Sequence, residues 1–275
     1  MAKTVYYHHP CTDGLVAAWA FRECFGKDIR FIPLAHATPL LDGDVVDRDV
    51  HFLDIVPSSE VYKDIVGKAR KVEVVDHHAT AHPTLLEVEG ATVFYDENRS
   101  GAGLSWDVYG GPNRPWIVNY AESLDLYRHN LPNSRAVAAA LSQCHTMDDI
   151  DAFYEKGLEQ AIRDGEILLE LHRQEVEATL AQVTLYNLPG IDVPVPGVGC
   201  PRNVTSDVLN RASVGFLFAF SWRPTEDGRW AYSFRNTKDG VDLSVLIPKV
   251  FGGGGGHPHA SGFVSDRLIH TKYEF

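Results

Sequence analysis

The chain has 275 residues, 44% of them apolar and 23% charged, with a formal net charge of −12 when His is counted neutral. That length can bury a sizeable core, in one large domain or two modest ones. The acidic balance argues against gripping long nucleic acid through many phosphates, because such binding calls for a basic face. A short or small phosphorylated ligand remains compatible, since bound cations would reverse the local sign.

Taken in chain order, residues 3–9 (KTVYYHH) predict a short strand ending in polar groups. A helix follows in DGLVAAWAFRECFG, stopped at Gly26. IRFIPLA and VHFLDIVP read as strands, SSEVYKDIVGKAR as a helix opening after Ser58, and KVEVVDHH and ATVFYDE as further strands. Strands alternating with helices predict a parallel sheet covered on both faces, with ligands beyond the carboxyl ends of its strands. GLSWDVYGG and PWIVNYAESLDLY read as helical. The stretch from Met147 to about Val183 predicts a long connecting helix with a break near Gly165. From about Thr184 the character changes: VTLYNLPG, GFLFAFSWRP and RWAYSFRN read as strands of a smaller second α/β domain. No tandem repeat is visible.

Three of the predicted strands end in metal-type ligands on one edge: His8 and His9, then Asp54, then Asp76, His77 and His78. Asp13 opens the first helix, where a carboxylate near an imidazole can share a cation and a helix N-terminus suits phosphate. Taken singly, Asp13 also reads as a helix cap and Asp54 as a turn residue. Adjacent imidazoles point differently, so one of His77 and His78 can ligate metal while the other faces substrate, with Asp76 orienting a ring through its second nitrogen. Asp125 can complete an oxygen-rich shell or sit exposed on its helix. Carboxylates and imidazoles without a CxxC pair favour Mn²⁺, Mg²⁺ or Fe²⁺ over structural Zn²⁺. Two such ions roughly 3.5–4 Å apart could bind a phosphate and activate water.

The second constellation is FGGGGGHPHASGF, residues 251–263. Consecutive glycines can present backbone N–H groups to an anion, or form a linker. Upstream, Arg235 stands at a strand end and Lys238 in a turn. Arg235 suits bidentate phosphate binding, or a solvated strand end.

In order, YHHPCTDGLVAAW, FLDIVPS, VVDHH and ESLDLYRHNLPNS resemble the four motifs of the DHH phosphoesterase superfamily, of the nanoRNase, oligoribonuclease and exonuclease kind. SFRN, GVDLS and GGGGGHPHASGF are similar to its DHH-associated C-terminal domain. The resemblance implies a parallel-sheet α/β catalytic domain over 1–135, a helical linker over 136–183 and a substrate-binding domain over 184–275. It implies two divalent ions, usually Mn²⁺, with Mg²⁺ or another divalent ion as a substitute. By position His8, Asp13, Asp54, His77 and Asp125 match the metal ligands, with His9 the alternative to His8. His78 matches a residue facing the substrate phosphate and Asp76 its neighbour, so Asp13, Asp76 and His78 are the expected catalytic groups. Arg235, Gly254, Gly255, Gly256 and His257 match the substrate clamp. The first motif usually carries two Asp flanking one residue, and here Cys11 stands at the earlier one. A variant of the form HxxCxDG occurs among relatives and makes His8 the better match. A softer thiolate there would weaken one metal position, change its preference or leave it to water.

The implied activity is metal-dependent hydrolysis of short single-stranded oligonucleotides or small nucleotides. The alternatives are a cyclic-dinucleotide phosphodiesterase, a nucleotide phosphatase or pyrophosphatase, and a nucleotide-binding module that has lost turnover. No signal-peptide pattern or membrane-length apolar run is present, so a cytoplasmic protein without a membrane partner is expected, and a homodimer is allowed for.

Overall fold

The structure is a computed structural model that describes residues 2–35, 40–87, 89–237 and 240–274. Lys238, read above as a turn residue, lies outside the described residues. Two compact units divide the chain, Met1–Leu169 and Glu170–Phe275.

The first unit runs β1 (Lys3–His8), α1 (Thr12–Phe25), β2 (Arg30–Leu34), β3 (Asp49–Leu53), α2 (Ser59–Lys68), β4 (Lys71–Asp76), α3 (His82–Glu87), β5 (Thr92–Tyr95), α4 (Gly101–Tyr109), α5 (Trp116–Asp125), α6 (Ser134–Leu141) and α7 (Met147–Lys156). Helix α8 (Leu158–Leu180) carries the boundary between the units. The strands form one parallel sheet in the order β2-β1-β3-β4-β5. Their side chains alternate between two cores, as the strand period of two requires. Val5, Tyr7, Leu53 and Val75 face one core, with apolar residues of α1 and α4 to α7. Tyr6, Val50, Phe52, Val72 and Val74 face the other, with Tyr62 and Ile65 of α2. Both faces are therefore covered, which explains the continuous apolar runs of these strands. Helix α1 carries Asp13 in its first turn and Arg22 in its last, matching the helix dipole. Arg22 and Trp19 both bond the Asp151 carboxylate, fixing α7 against α1.

The helical stretch after Met147 breaks at Gly157, whose φ of +81° ends α7, and runs unbroken through Gly165. The expected break near Gly165 is thus corrected. A Cβ at Gly165 would meet the Ala136 carbonyl oxygen at 1.8 Å, so this glycine lets α8 lie close against α6.

The second unit contains β6 (Thr184–Asn187), β7 (Val195–Gly199), α9 (Thr205–Ala212), β8 (Ala219–Pro224), β9 (Trp230–Arg235), α10 (Leu243–Phe251), β10 (Gly255–His257), β11 (Ala260–Ser265) and β12 (Thr271–Lys272). They form a seven-stranded sheet, β10-β11-β9-β8-β7-β6-β12, antiparallel except for the β7–β8 pair. Phe234, Phe251 and Phe263 stack between this sheet and α10. Among the described residues no helix is long and apolar enough to cross a membrane.

Candidate metal centre

Register in the first sheet sets Tyr7 beside Leu53 and Leu53 beside Val75, so β1, β3 and β4 end level. The residues that follow or close these strands, His8, Asp54 and Asp76–His78, therefore meet at one edge. Asp54 takes a left-handed backbone, φ +62°, and its N–H donates to the Val75 carbonyl at 2.8 Å. Two glycines make room. A Cβ at Gly101 would stand 2.5 Å from the Asp54 Cβ, and one at Gly14 would stand 2.3 Å from the His8 carbonyl oxygen. Gly101 thus brings the N-terminus of α4 onto the cluster, where the Ala102 N–H donates to the Asp13 carboxylate at 3.2 Å.

Asp54 lies between two groups of ligand atoms. His8, Asp54 and His78 offer atoms all within 4.8 Å of one another, and Asp13, Asp54 and His77 do the same. On one side, Asp54 Oδ2 is 3.3 Å from His8 Nδ1 and accepts from the Cys11 thiol at 3.6 Å. On the other, Asp54 Oδ1 is 3.2 Å from His77 Nε2, which is 3.5 Å from Asp125 Oδ2. Asp76 Oδ1 accepts from the His77 and His78 backbone N–H groups and lies 2.7 Å from His78 Nδ1. Asp76, the last residue of β4, thus holds the His78 ring by its Nδ1.

The electrostatics describe a cluster short of positive charge. Burial, then the neighbouring Asp54 and Asp125 carboxylates, push the Asp13 pKa well above the ordinary carboxylate range. Burial likewise raises Asp125. Burial opposes ionisation of Asp54 too, but the His77 and His8 imidazoles outweigh it and hold its pKa low. Burial disfavours His77 as a cation, yet Asp54, Asp13 and Asp125 raise it to about 9. The bond to Asp76 raises His78. Burial and then Asp54 lift the Cys11 thiol to about 12.

The donors fit divalent cations. Asp54 Oδ1 and His77 Nε2 are buried 3.2 Å apart, with no hydrogen bond to a third group. Buried polar atoms are nearly always fully partnered, so a carboxylate oxygen and an imidazole nitrogen that have only each other leave room for an ion between them. The carboxylate and imidazole set suits Mn²⁺, Mg²⁺, Fe²⁺ or Zn²⁺.

Of the residues singled out in the sequence, His8, Asp13, Asp54, Asp76, His77, His78 and Asp125 come together here. His9 belongs to neither group. Its ring meets Tyr7 edge-on at 6.2 Å, and its buried Nδ1 has no hydrogen-bond partner. Arg235, Gly254, Gly255, Gly256 and His257 lie in the second unit, where Ala260 pairs with both His257 and Arg235 across neighbouring strands. Arg235 donates to the Ser206 hydroxyl at 3.2 Å and the Phe234 carbonyl at 2.8 Å. Sequence reasoning missed Gly101, Ala102 and Ser206. The run SGAG that opens α4 was a usable signal, because small residues at a helix start allow close backbone approach.

No family model matches the chain. The chain is 25% identical over 289 aligned positions to the uncharacterized protein R106 of Acanthamoeba polyphaga mimivirus, covering 94% of this chain. It spans 66% of the length of that curated relative. Among solved structures, the pGpG-specific phosphodiesterase PggH from Vibrio cholerae matches with a TM-score of 0.52 and 14% identity, over 96% of this chain and 93% of that one. RecJ in complex with Mn²⁺ from Thermus thermophilus matches with a TM-score of 0.42 and 15% identity, over 96% and 49% of the two chains. The chain shares the two-domain α/β fold of the Vibrio phosphodiesterase.

Proposed function

We propose that the chain is a divalent-metal-dependent phosphodiesterase that hydrolyses short oligonucleotides or related nucleotide phosphoesters. The observation that carries this reading is Asp54, buried and shared by two groups of ligand atoms, with its Oδ1 3.2 Å from His77 Nε2. The shared fold supports it, since the Vibrio phosphodiesterase acts on pGpG, a dinucleotide. The net charge of −12 supports a short substrate over a long strand.

In this reading Asp13, Asp54, His77 and Asp125 would hold one divalent ion, and His8 and Asp54 would offer ligands to another, with His78 beside them. Such ions supply Lewis acidity at a phosphoryl oxygen and make water nucleophilic near neutral pH. The rest falls to the chain itself. Asp76 accepts from His78 Nδ1, which leaves Nε2 to hold or pass a proton at a phosphoryl oxygen. Ala102 N–H and the N-terminus of α4 keep Asp13 in place. In the second unit, Arg235 and the backbone of residues 254–257 form an anion-binding edge that orients rather than reacts.

The test is incubation with short RNA and DNA oligonucleotides in Mn²⁺, with chromatography of the products. Mononucleotide release is expected, and Asp54→Asn should abolish it. No hydrolysis of dinucleotides, oligonucleotides or cyclic dinucleotides in Mn²⁺ or Mg²⁺ would overturn the reading. The contact of the Cys11 thiol with Asp54 Oδ2 favours a second reading, nucleotide binding without turnover. Metal counting separates them: two ions per chain support the enzyme, and one ion with bound but intact nucleotide supports the binding module.

A further inference from the structure

Helix α5 ends on a backbone pattern that ordinarily calls for glycine. The Tyr127 N–H donates to the Leu124 carbonyl at 3.1 Å, and the Arg128 N–H donates to the Ser123 carbonyl at 3.0 Å. These are the two bonds of a Schellman ending, which puts the residue after the cap in the left-handed region. Tyr127 occupies that position with φ +50°. Glycine adopts it freely, whereas a Cβ crowds the following carbonyl. Packing gives little in return, because Tyr127 is 86% exposed and the nearest ring, His129, stands edge-on at 6.5 Å.

What lies beside it explains the choice. Tyr127 lines a cavity of ≈ 240 Å³ together with Cys11, Thr12, Asp13, Leu124 and Asp125. Asp13 and Asp125 belong to the metal centre, and Asp125 is only two residues away, at most about 7 Å of chain. That reach is comparable with the span from a 5′-phosphate to its base. With Asp13 and Asp125 assigned to the metal group, the exposed Tyr127 ring is what the cavity has left to offer the planar part of a nucleotide.

We propose that Tyr127 is a stacking platform for the nucleobase of the nucleotide whose phosphate reaches the Asp13–Asp54–His77 group. The inference rests on the phosphodiesterase reading and adds where the base sits. Stacking on a phenol ring tolerates any base, so the subsite selects nucleotides as a class rather than one sequence.

The experiment is equilibrium binding of adenosine 5′-monophosphate and of ribose 5-phosphate to the Mn²⁺-loaded protein, in wild type, Tyr127→Gly, Tyr127→Ala and Tyr127→Trp. Wild type should bind the base-bearing ligand roughly tenfold or more tightly than the bare sugar phosphate. Tyr127→Gly and Tyr127→Ala should erase that gap, and Tyr127→Trp should keep it, with ribose 5-phosphate affinity the same throughout. Tyr127→Gly should also raise Tm, since it relieves the left-handed position, and this shows that the fold is intact. Equal wild-type affinity for both ligands, or a gap that survives Tyr127→Gly, overturns the proposal. If short oligonucleotides are still hydrolysed in that case, the phosphodiesterase reading stands alone. No binding of either ligand and no hydrolysis overturns both.

Discussion

The strand ends of the first unit and the glycine-rich edge of the second carry polar groups under opposite conditions. Asp13, Asp54 and Asp76 are 2%, 1% and 0% exposed, whereas Gly255–His257 are exposed along their whole length. The first region is held by packing, with Gly14 and Gly101 admitting backbone where any side chain would collide. Its geometry is rigid and its charges are costly to bury. The second region is a hairpin edge, in which backbone amides and one arginine can adjust to a ligand. Electrostatics are strongest where water is excluded, so chemistry belongs in the first kind of place. Adaptable capture belongs in the second.

The largest expected effect tests the rigid region. Asp54→Asn weakens both ligand groups together and should reduce Mn²⁺-supported hydrolysis on the order of 10³-fold or more, by analogy with loss of a preorganised transition-state contact. The rise in Tm on adding Mn²⁺ should vanish in the same variant. Next comes Gly101→Ala, which places a methyl 2.5 Å from the Asp54 Cβ. Overpacking of this kind should cost about 1–3 kcal/mol in urea unfolding and lower metal affinity as well. Gly111→Ala, with nothing within 4 Å, is the matched control and should change neither.

The adaptable region should respond differently. Arg235→Ala should raise KM about tenfold or more, in line with roughly 1.5–3 kcal/mol for a hydrogen bond to a charged group, and leave kcat nearly unchanged. Steady-state kinetics on a short oligonucleotide provides the check. A fall in kcat at constant KM would break the comparison, because it would put Arg235 in the chemistry rather than in capture.

How much of this was legible in the sequence depended on whether the cause was local. The strand ends were legible, because an apolar run such as VEVV stops abruptly at Asp76, and alternating helices imply parallel strands that finish on one edge. Which of two adjacent histidines joins the cluster was readable only through the family resemblance, which favoured His8, since His8 and His9 differ only in where the strand ends and the turn begins. Gly165 misled for a related reason: a helical glycine reads as a break unless its distant partner, the Ala136 carbonyl, is known. Strand β7, VPGVG, was hidden by its proline and glycines, and its neighbours on both sides hold it in the sheet. Tyr127 was invisible because residue type does not reveal a positive φ.

The smallest expected effect concerns the rigid region stripped of metal. The folded-state pKa of His77 is raised from 6.5 to about 9, so the folded protein holds this proton more tightly than the unfolded chain. That stability is fully present below pH 6.5 and is lost as pH rises through about 9. Asp13, also raised, acts with the same sign. Cys11, also raised, adds to the loss as pH nears the ordinary thiol range. In chelator, stability should therefore decline between pH 6.5 and 9 by on the order of 1 kcal/mol. Saturating Mn²⁺ should flatten or reverse the slope, because the cation replaces the proton and binds better as ligands deprotonate. Unfolding measured across this range, with and without Mn²⁺, gives the comparison. His77→Gln should shrink the decline in chelator, leaving the parts due to His78 and Cys11. If the slope persists unchanged in that variant, the proton on His77 is not what substitutes for a cation beside Asp54.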